Sequence, residues 1–171
     1  MFKKTAIFLL LVTVITVSAC KKDKNGLEFG IFTVQADATT AVADGVIGSS
    51  SLDDFNEMLD SYPNINVIEM RNMPGSMDDE TNVQLGRALY AAEINTHLGD
   101  GGSINSGAVD LFLAGRTRTR GSNIEVGVHS WASGNQEATD FPESSSEHDL
   151  FINYYIDIGF SEQDARDFYF F

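Results

Sequence analysis

The sequence predicts an α/β domain whose sheet is at least partly parallel. Short runs of aromatic and β-branched residues alternate with stretches of helical periodicity, in a strand–helix–strand–helix–strand–helix order separated by glycine, proline and asparagine turns. The chain has 171 residues, 43% of them hydrophobic and 11% aromatic, which suits one domain with a core of its own and argues against wholesale disorder.

The first segment reads as an address rather than as fold. In Met1 to Cys20 (MFKKTAIFLLLVTVITVSAC), Lys3 and Lys4 precede an apolar run from Ala6 to Val17. That run is shorter than the ~20 residues a membrane-crossing helix needs, and its flanks match a secretory signal. Val17-Ser18-Ala19-Cys20 resembles the bacterial lipobox, which implies acylation of Cys20, the chain's only cysteine. Residues 1–19 are therefore expected to be a lipoprotein signal peptide, 20–28 a polar tether, and 29–171 the domain, lipid-anchored in the bacterial cell envelope outside the cytoplasm. An uncleaved N-terminal anchor or a buried thiol is the plain alternative. A chain so placed meets no pool of ATP, CoA or NAD.

Within the domain, Phe29 to Gln35 (FGIFTVQ) reads as a strand, and Val46-Ile47 as a short one between turns at Asp37 to Thr40 and Asp44-Gly45. Ser50 to Tyr62 places Leu52, Phe55, Met58 and Leu59 at helical spacing, with Ser50 or Ser51 as cap. Ile65 to Met70 is a second strand, running into the turn Asn72-Met73-Pro74-Gly75-Ser76. Asp78-Asp79-Glu80 opens a helix to about Ala92, its acids set where the helix dipole favours them. Ile94 to Leu98 is a short strand before the glycine-rich Gly99 to Ser103, and Ala108 to Ala114 a helix closed by Gly115. Thr117 to Arg120 and Ile124 to His129 read as strands, 131–146 as a polar loop, Glu147 to Ile158 as a helix, and Asp164 to Phe171 as a final aromatic piece.

Composition excludes several chemistries. Eleven Lys+Arg against 25 Asp+Glu, net −14, is wrong for a protein that neutralises nucleic-acid phosphates. One cysteine excludes a disulfide framework and a cysteine zinc cluster. Every lysine lies at or before Lys24, so the domain has no Schiff-base, P-loop or Ser–Lys chemistry. A neutral-range base must be His97, His129, His148 or a perturbed carboxylate. The three histidines have no metal-ligand spacing, so neither metal nor cofactor is expected. Arg116, Arg118 and Arg120 alternate onto one face of a strand, suited to neutralising carboxylates or to an anionic substrate.

Two turns that follow strands carry candidate groups, because free backbone N–H groups gather where strands give way to helices. Ser106-Gly107 places a hydroxyl at a helix mouth beside the next N–H, and Gly75-Ser76 offers a second N–H; an ordinary N-cap is the plain reading of Ser106. His129 ends the strand Val126-Gly127-Val128-His129, where its ring can project beside Ser106, unless it is simply a satisfied histidine. His97 and His148 read as solvent-facing or capping, and Trp131 as core or pocket wall.

Taken together, INVIEMRNMPGS, the helix after it, GGSINSGAVDLFLAGRTR and IEVGVHSW resemble the ClpP/crotonase-like superfamily, nearest to Clp-protease-type periplasmic serine peptidase-like proteins, over roughly Phe29 to Trp131. The resemblance implies a spiral of ββα units, here short at its C-terminal end, with Ser106 as nucleophile, His129 as general base, and the N–H groups of Ser76 and Gly107 as oxyanion hole. It implies an aspartate on a later segment as third member; Asp140 is the first choice, with Asp149 and Asp157 behind it. Ser76 replaces a usual glycine, and Asp110 sits in the helix after Ser106. The resemblance also implies possible homo-oligomers, and further chain beyond an aromatic stretch like Asp167 to Phe171. The expected function is a lipid-anchored serine hydrolase acting on peptides or esters; a non-catalytic binding or assembly module is the alternative, and an acyl-CoA enzyme a distant third.

Overall fold

The computed structural model describes residues 27–171; the expected leader, Cys20 and most of the expected tether lie outside the described residues. The fold is mixed α/β. Five helices and a seven-stranded sheet form its body, with sheet order β1-β2-β3-β4-β5-β6 and β7 also on β5. Among the described residues no helix is long and apolar enough to cross a membrane.

The N-terminal strand expected over Phe29 to Gln35 is instead a hairpin, β1 (Glu28–Phe29) and β2 (Phe32–Val34), turned at Gly30. Gly30 has φ +56°, and a Cβ there would overlap the Asp54 carboxylate, so the chain reverses where only glycine fits. β3 (Thr40–Ala43) pairs antiparallel with β2 and parallel with β4 (Val67–Met73), while the expected strand at Val46-Ile47 reduces to one bridge, Ile47 to Ser76. Between them α1 (Ser51–Ser61) buries Phe55 and Met58. The Ser50 side chain does not cap that helix; its hydroxyl donates to Asp54 instead (2.9 Å).

α2 (Asp79–Ala91) starts as the acidic run implies: the Asp78 carboxylate accepts from Thr81 N–H (3.0 Å), and Asp79 and Glu80 occupy the first turn. Its buried face, Val83, Leu85, Gly86 and Leu89, packs toward α1, α3 and α4. The opposite face of the sheet is polar, with Glu69, His97 and Thr119 in register across three strands and the His97 Nδ1 2.9 Å from the Thr119 hydroxyl.

β5 (Asn95–Asn105) is longer than expected, because Gly99 to Gly102 is part of it. Its register against β4 moves from Met70↔Leu98 to Asn72↔Ser103, so the glycines form a bulge. A Cβ on Gly102 would come within 2.7 Å of Leu98 Cδ1 and 3.0 Å of the Gly99 carbonyl oxygen. The bulge divides β5: residues 96–98 pair with β6 (Arg118–Arg120), residues 103–105 with β7 (Glu125–Gly127). The second half ends at Asn105 and delivers Ser106 into α3 (Gly107–Leu113).

After β7, the stretch read as a polar loop holds a small hairpin, β8 (Ala132–Ser133) with β9 (Gln136–Glu137), and two turns of 3-10 helix. α4 (Asp149–Asp157) and α5 (Glu162–Tyr169) close the described chain. α4 packs on α2 and α5, and Tyr154 and Tyr155 carry its buried face.

Candidate active site

Ser106 stands on a strand–turn–helix elbow. Its N–H donates to the Gly127 carbonyl (2.9 Å), which ties the elbow to β7. Its backbone has φ 52° and ψ −130°, a region that a residue with a Cβ enters only under strain. Although it occupies the N-cap position of α3, its side chain makes no capping bond, and among the described residues its hydroxyl has no hydrogen-bond partner. The plain N-cap reading therefore does not describe this serine. Strain held at a side chain that does no structural work has a measurable consequence: Ser106→Gly is expected to stabilise the fold by about 1 kcal/mol, the relief of strain exceeding the entropy cost of glycine. Urea denaturation checks it, and a Ser106→Gly protein less stable than wild type would show that the hydroxyl or Cβ packs usefully.

The two turns read from the sequence meet at this elbow. Gly75 has φ +129°, and a Cβ there would lie 3.0 Å from Ser106 Cβ. A Cβ on Gly107 would lie 2.8 Å from Ser76 Cβ and 2.7 Å from Asn82 Nδ2, so the turn and the mouth of α3 touch. Ile47 takes Gly75 O and Met77 N–H as its partners (2.9 Å each), which leaves the intervening Ser76 N–H directed away from Ile47. Gly107 is the first residue of α3, where an N–H has no intrahelical acceptor. The Ser76 hydroxyl donates to Asp79 (2.9 Å) and so anchors the turn to the start of α2.

His129 is exposed, two residues beyond β7, and lines the same cavity as Ser76, Ser106 and Gly107. Its Nδ1–H donates to the Ser130 carbonyl (2.7 Å), because a carbonyl only accepts, so in the neutral ring Nε2 is the nitrogen with the lone pair. That is the tautomer a general base needs. No carboxylate lies within ion-pair distance of the ring among the described residues. Asp140 is not brought there: its carboxylate accepts from Glu137 N–H (2.9 Å) in a local capping box and does not line the cavity. Asp157 is paired with Arg87 (2.8 Å), and Asp149 sits exposed at the start of α4. A backbone carbonyl thus holds the ring where the resemblance implies an aspartate.

The cavity measures about 500 Å³. Aromatic rings line it, among them Trp131, Phe141, Phe151, Tyr155 and Tyr169. Trp131 Nε1–H donates to the Tyr169 hydroxyl (2.7 Å), the hydroxyl lies 3.0 Å from His148 Nδ1, and His148 Nε2–H donates to the Pro142 carbonyl (3.2 Å). His148 is 1% exposed with both ring nitrogens occupied, so at the N-cap position of α4 it is a buried structural histidine and not a solvent-facing one. No lysine or arginine lines the cavity, and the described residues contain no cluster of His, Cys, Asp and Glu able to hold a metal. The alternating arginines lie away from it: Arg116 reaches Glu93 (4.0 Å), while Arg118 and Arg120 donate to the Leu113 (2.7 Å) and Gly121 (3.4 Å) carbonyls.

No protein-family model, curated protein or solved structure matches the chain. The site's chemistry is therefore argued from its own residues.

One site residue carries no role in the sequence reading. Asp110, on the helix after Ser106, lines the cavity wall yet is only 8% exposed. Burial pushes its carboxyl up to about 7; a hydrogen bond from Tyr155 and the positive charge of His129 pull it down, and Asp79 pushes it up further. The one local signal is an acid inside the apolar stretch GAVDLFL.

Proposed function

We propose that the protein is a lipid-anchored, extracytoplasmic serine hydrolase of ClpP/crotonase-like type, a peptidase by preference and an esterase as the other substrate class. The observation that carries this reading is the elbow at Ser106: a strained serine with no capping bond, in contact with the Gly75-Ser76 turn and opening on a cavity that His129 also lines. Ser106 Oγ attacks the substrate carbonyl carbon while its proton passes to His129 Nε2. The resulting oxyanion accepts from the N–H groups of Ser76 and Gly107. The amine or alcohol leaves with the proton returned from His129, and water, activated by the same nitrogen, releases the acid from Ser106. The aromatic wall receives an apolar part of the substrate, and with Asp79, Asp110 and Glu143 but no lysine or arginine around it, the cavity disfavours anionic ones.

The second reading is a non-catalytic module that binds a peptide or acyl group in the same cavity, and the Ser130 carbonyl standing where a carboxylate would favour catalysis supports it. Association of copies is a further part of the proposal, supported by Val126 on β7 and Val128 just beyond it, 53% and 58% exposed. The test of the main reading is a fluorophosphonate probe on the intact chain, with the adduct located by peptide mass spectrometry. It is expected on Ser106 and absent from Ser106→Ala; a folded protein left unlabelled, or an adduct elsewhere, supports the second reading.

A further inference from the structure

Asp110 is held more elaborately than a helix side chain requires. Its Oδ1 accepts from the Tyr155 hydroxyl at 2.6 Å, its Oδ2 faces Asn82 Nδ2 at 3.4 Å, and its own carbonyl accepts from the Tyr154 hydroxyl at 2.7 Å. Groups from α2 and α4 thus converge on a carboxyl on α3, one turn beyond Ser106. Asn82, itself 1% exposed, keeps its Oδ1 without a partner among the described residues. Replacing a buried charged group by an apolar residue of similar volume is often neutral or stabilising, so packing alone does not call for an acid here. This one lines the cavity that Ser106 and His129 share.

We propose that Asp110 is a positioning residue for His129: fixed by Tyr155 and Asn82, its carboxylate supplies through space the negative charge that steadies the imidazolium as Ser106 loses its proton. It takes the electrostatic part that the resemblance assigns to a later aspartate, while the Ser130 carbonyl takes the orienting part. The inference rests on the hydrolase reading above.

The groups facing Asp110 give the sign of each change. Asp79 at the head of α2 and burial favour the neutral acid; the Tyr155 hydroxyl and the charge of His129 favour the carboxylate. Tyr154, whose own ionisation burial strongly opposes, stays neutral. Ionisation of Asp110 near 7 makes the carboxylate available above that pH, so hydrolysis is expected to rise with pH through this region.

The experiment has two arms on the full chain. In the first, the Asp110 side-chain carbon signal is followed by NMR against pH, without substrate, in wild type, His129→Gln and Tyr155→Phe. The midpoint is expected to rise in both variants, since each removes an influence that favours the carboxylate. In the second, hydrolysis of a neutral chromogenic ester is measured from pH 6 to 9 in wild type and Asp110→Asn. The variant keeps an acceptor for Tyr155, and kcat is expected to fall about tenfold above pH 7 with KM little changed, the rising limb being flattened. An Asp110 midpoint indifferent to His129→Gln, or an Asp110→Asn profile that follows wild type, overturns the inference while leaving Ser106 chemistry intact. A wild type that hydrolyses nothing brings down the hydrolase reading instead, and the first arm still decides whether Asp110 and His129 are coupled.

Discussion

Ser106→Ala is expected to lower ester turnover by at least ~10⁴-fold with little effect on folding, and His129→Ala to do about as much. The expectation follows from the division of labour at the elbow. In the proposed mechanism the serine oxygen is the only atom that bonds to substrate, and the ring nitrogen opposite the Ser130 bond is the one that takes its proton. Because the two act as a unit, the double variant should be no slower than either single one. On the same proposal, the residual rate above water is expected to come from the amides of Ser76 and Gly107 and from binding in the aromatic cavity. Initial-rate kinetics check this, with Trp131 as a built-in control. It is the chain's only tryptophan and lines the cavity, so its fluorescence should still report ligand binding in Ser106→Ala. Two additive single losses, each of tenfold or less, would place the chemistry elsewhere.

Gly107→Ala is the second large effect. The new methyl would stand 2.7 Å from Asn82 Nδ2 and 2.8 Å from Ser76 Cβ, with the Ser76 hydroxyl at 3.1 Å. None of these neighbours yields freely: Ser76 is tied to Asp79 and flanked by the Ile47 bridge, and Asn82 is buried in α2. The turn carrying the Ser76 N–H is therefore pushed off the mouth of α3. Loss of one oxyanion donor costs ~10²–10³ in turnover, and the overpacking costs ~1–3 kcal/mol of stability. Turnover and urea denaturation measured together separate the two, since a wild-type rate in a destabilised protein would mean that these amides hold no oxyanion.

What the sequence made legible is local. α1 announces itself through Leu52, Phe55, Met58 and Leu59, α2 through its acidic opening at Asp78, and the elbow through Ser106-Gly107 after an extended run. Each is a pattern read within one or two turns of chain. The features that escaped depend on distant partners or on backbone sign. The hairpin at Gly30 is set by φ +56° and by Asp54 lying against it, and the glycine-rich segment belongs to β5 because β4 accepts it as a bulge. Asp110 looks like a fault in an apolar helix until Tyr154 and Tyr155, 44 and 45 residues further on, are seen to bond it. Asp140 misleads in the opposite way. An exposed aspartate between the histidine and the end of the chain fits the order that the resemblance implies, but a capping box three residues wide already uses its carboxylate.

The most direct test of the account is the rate at which a fluorophosphonate modifies Ser106 in wild type and in His129→Gln, compared at pH 8 by intact-mass spectrometry. Activation of the hydroxyl by the ring predicts a fall of ~10²–10⁴-fold in the variant, the usual contribution of a positioned base. Equal rates in the two proteins would contradict it, since the histidine would then share a cavity with the serine without acting on it.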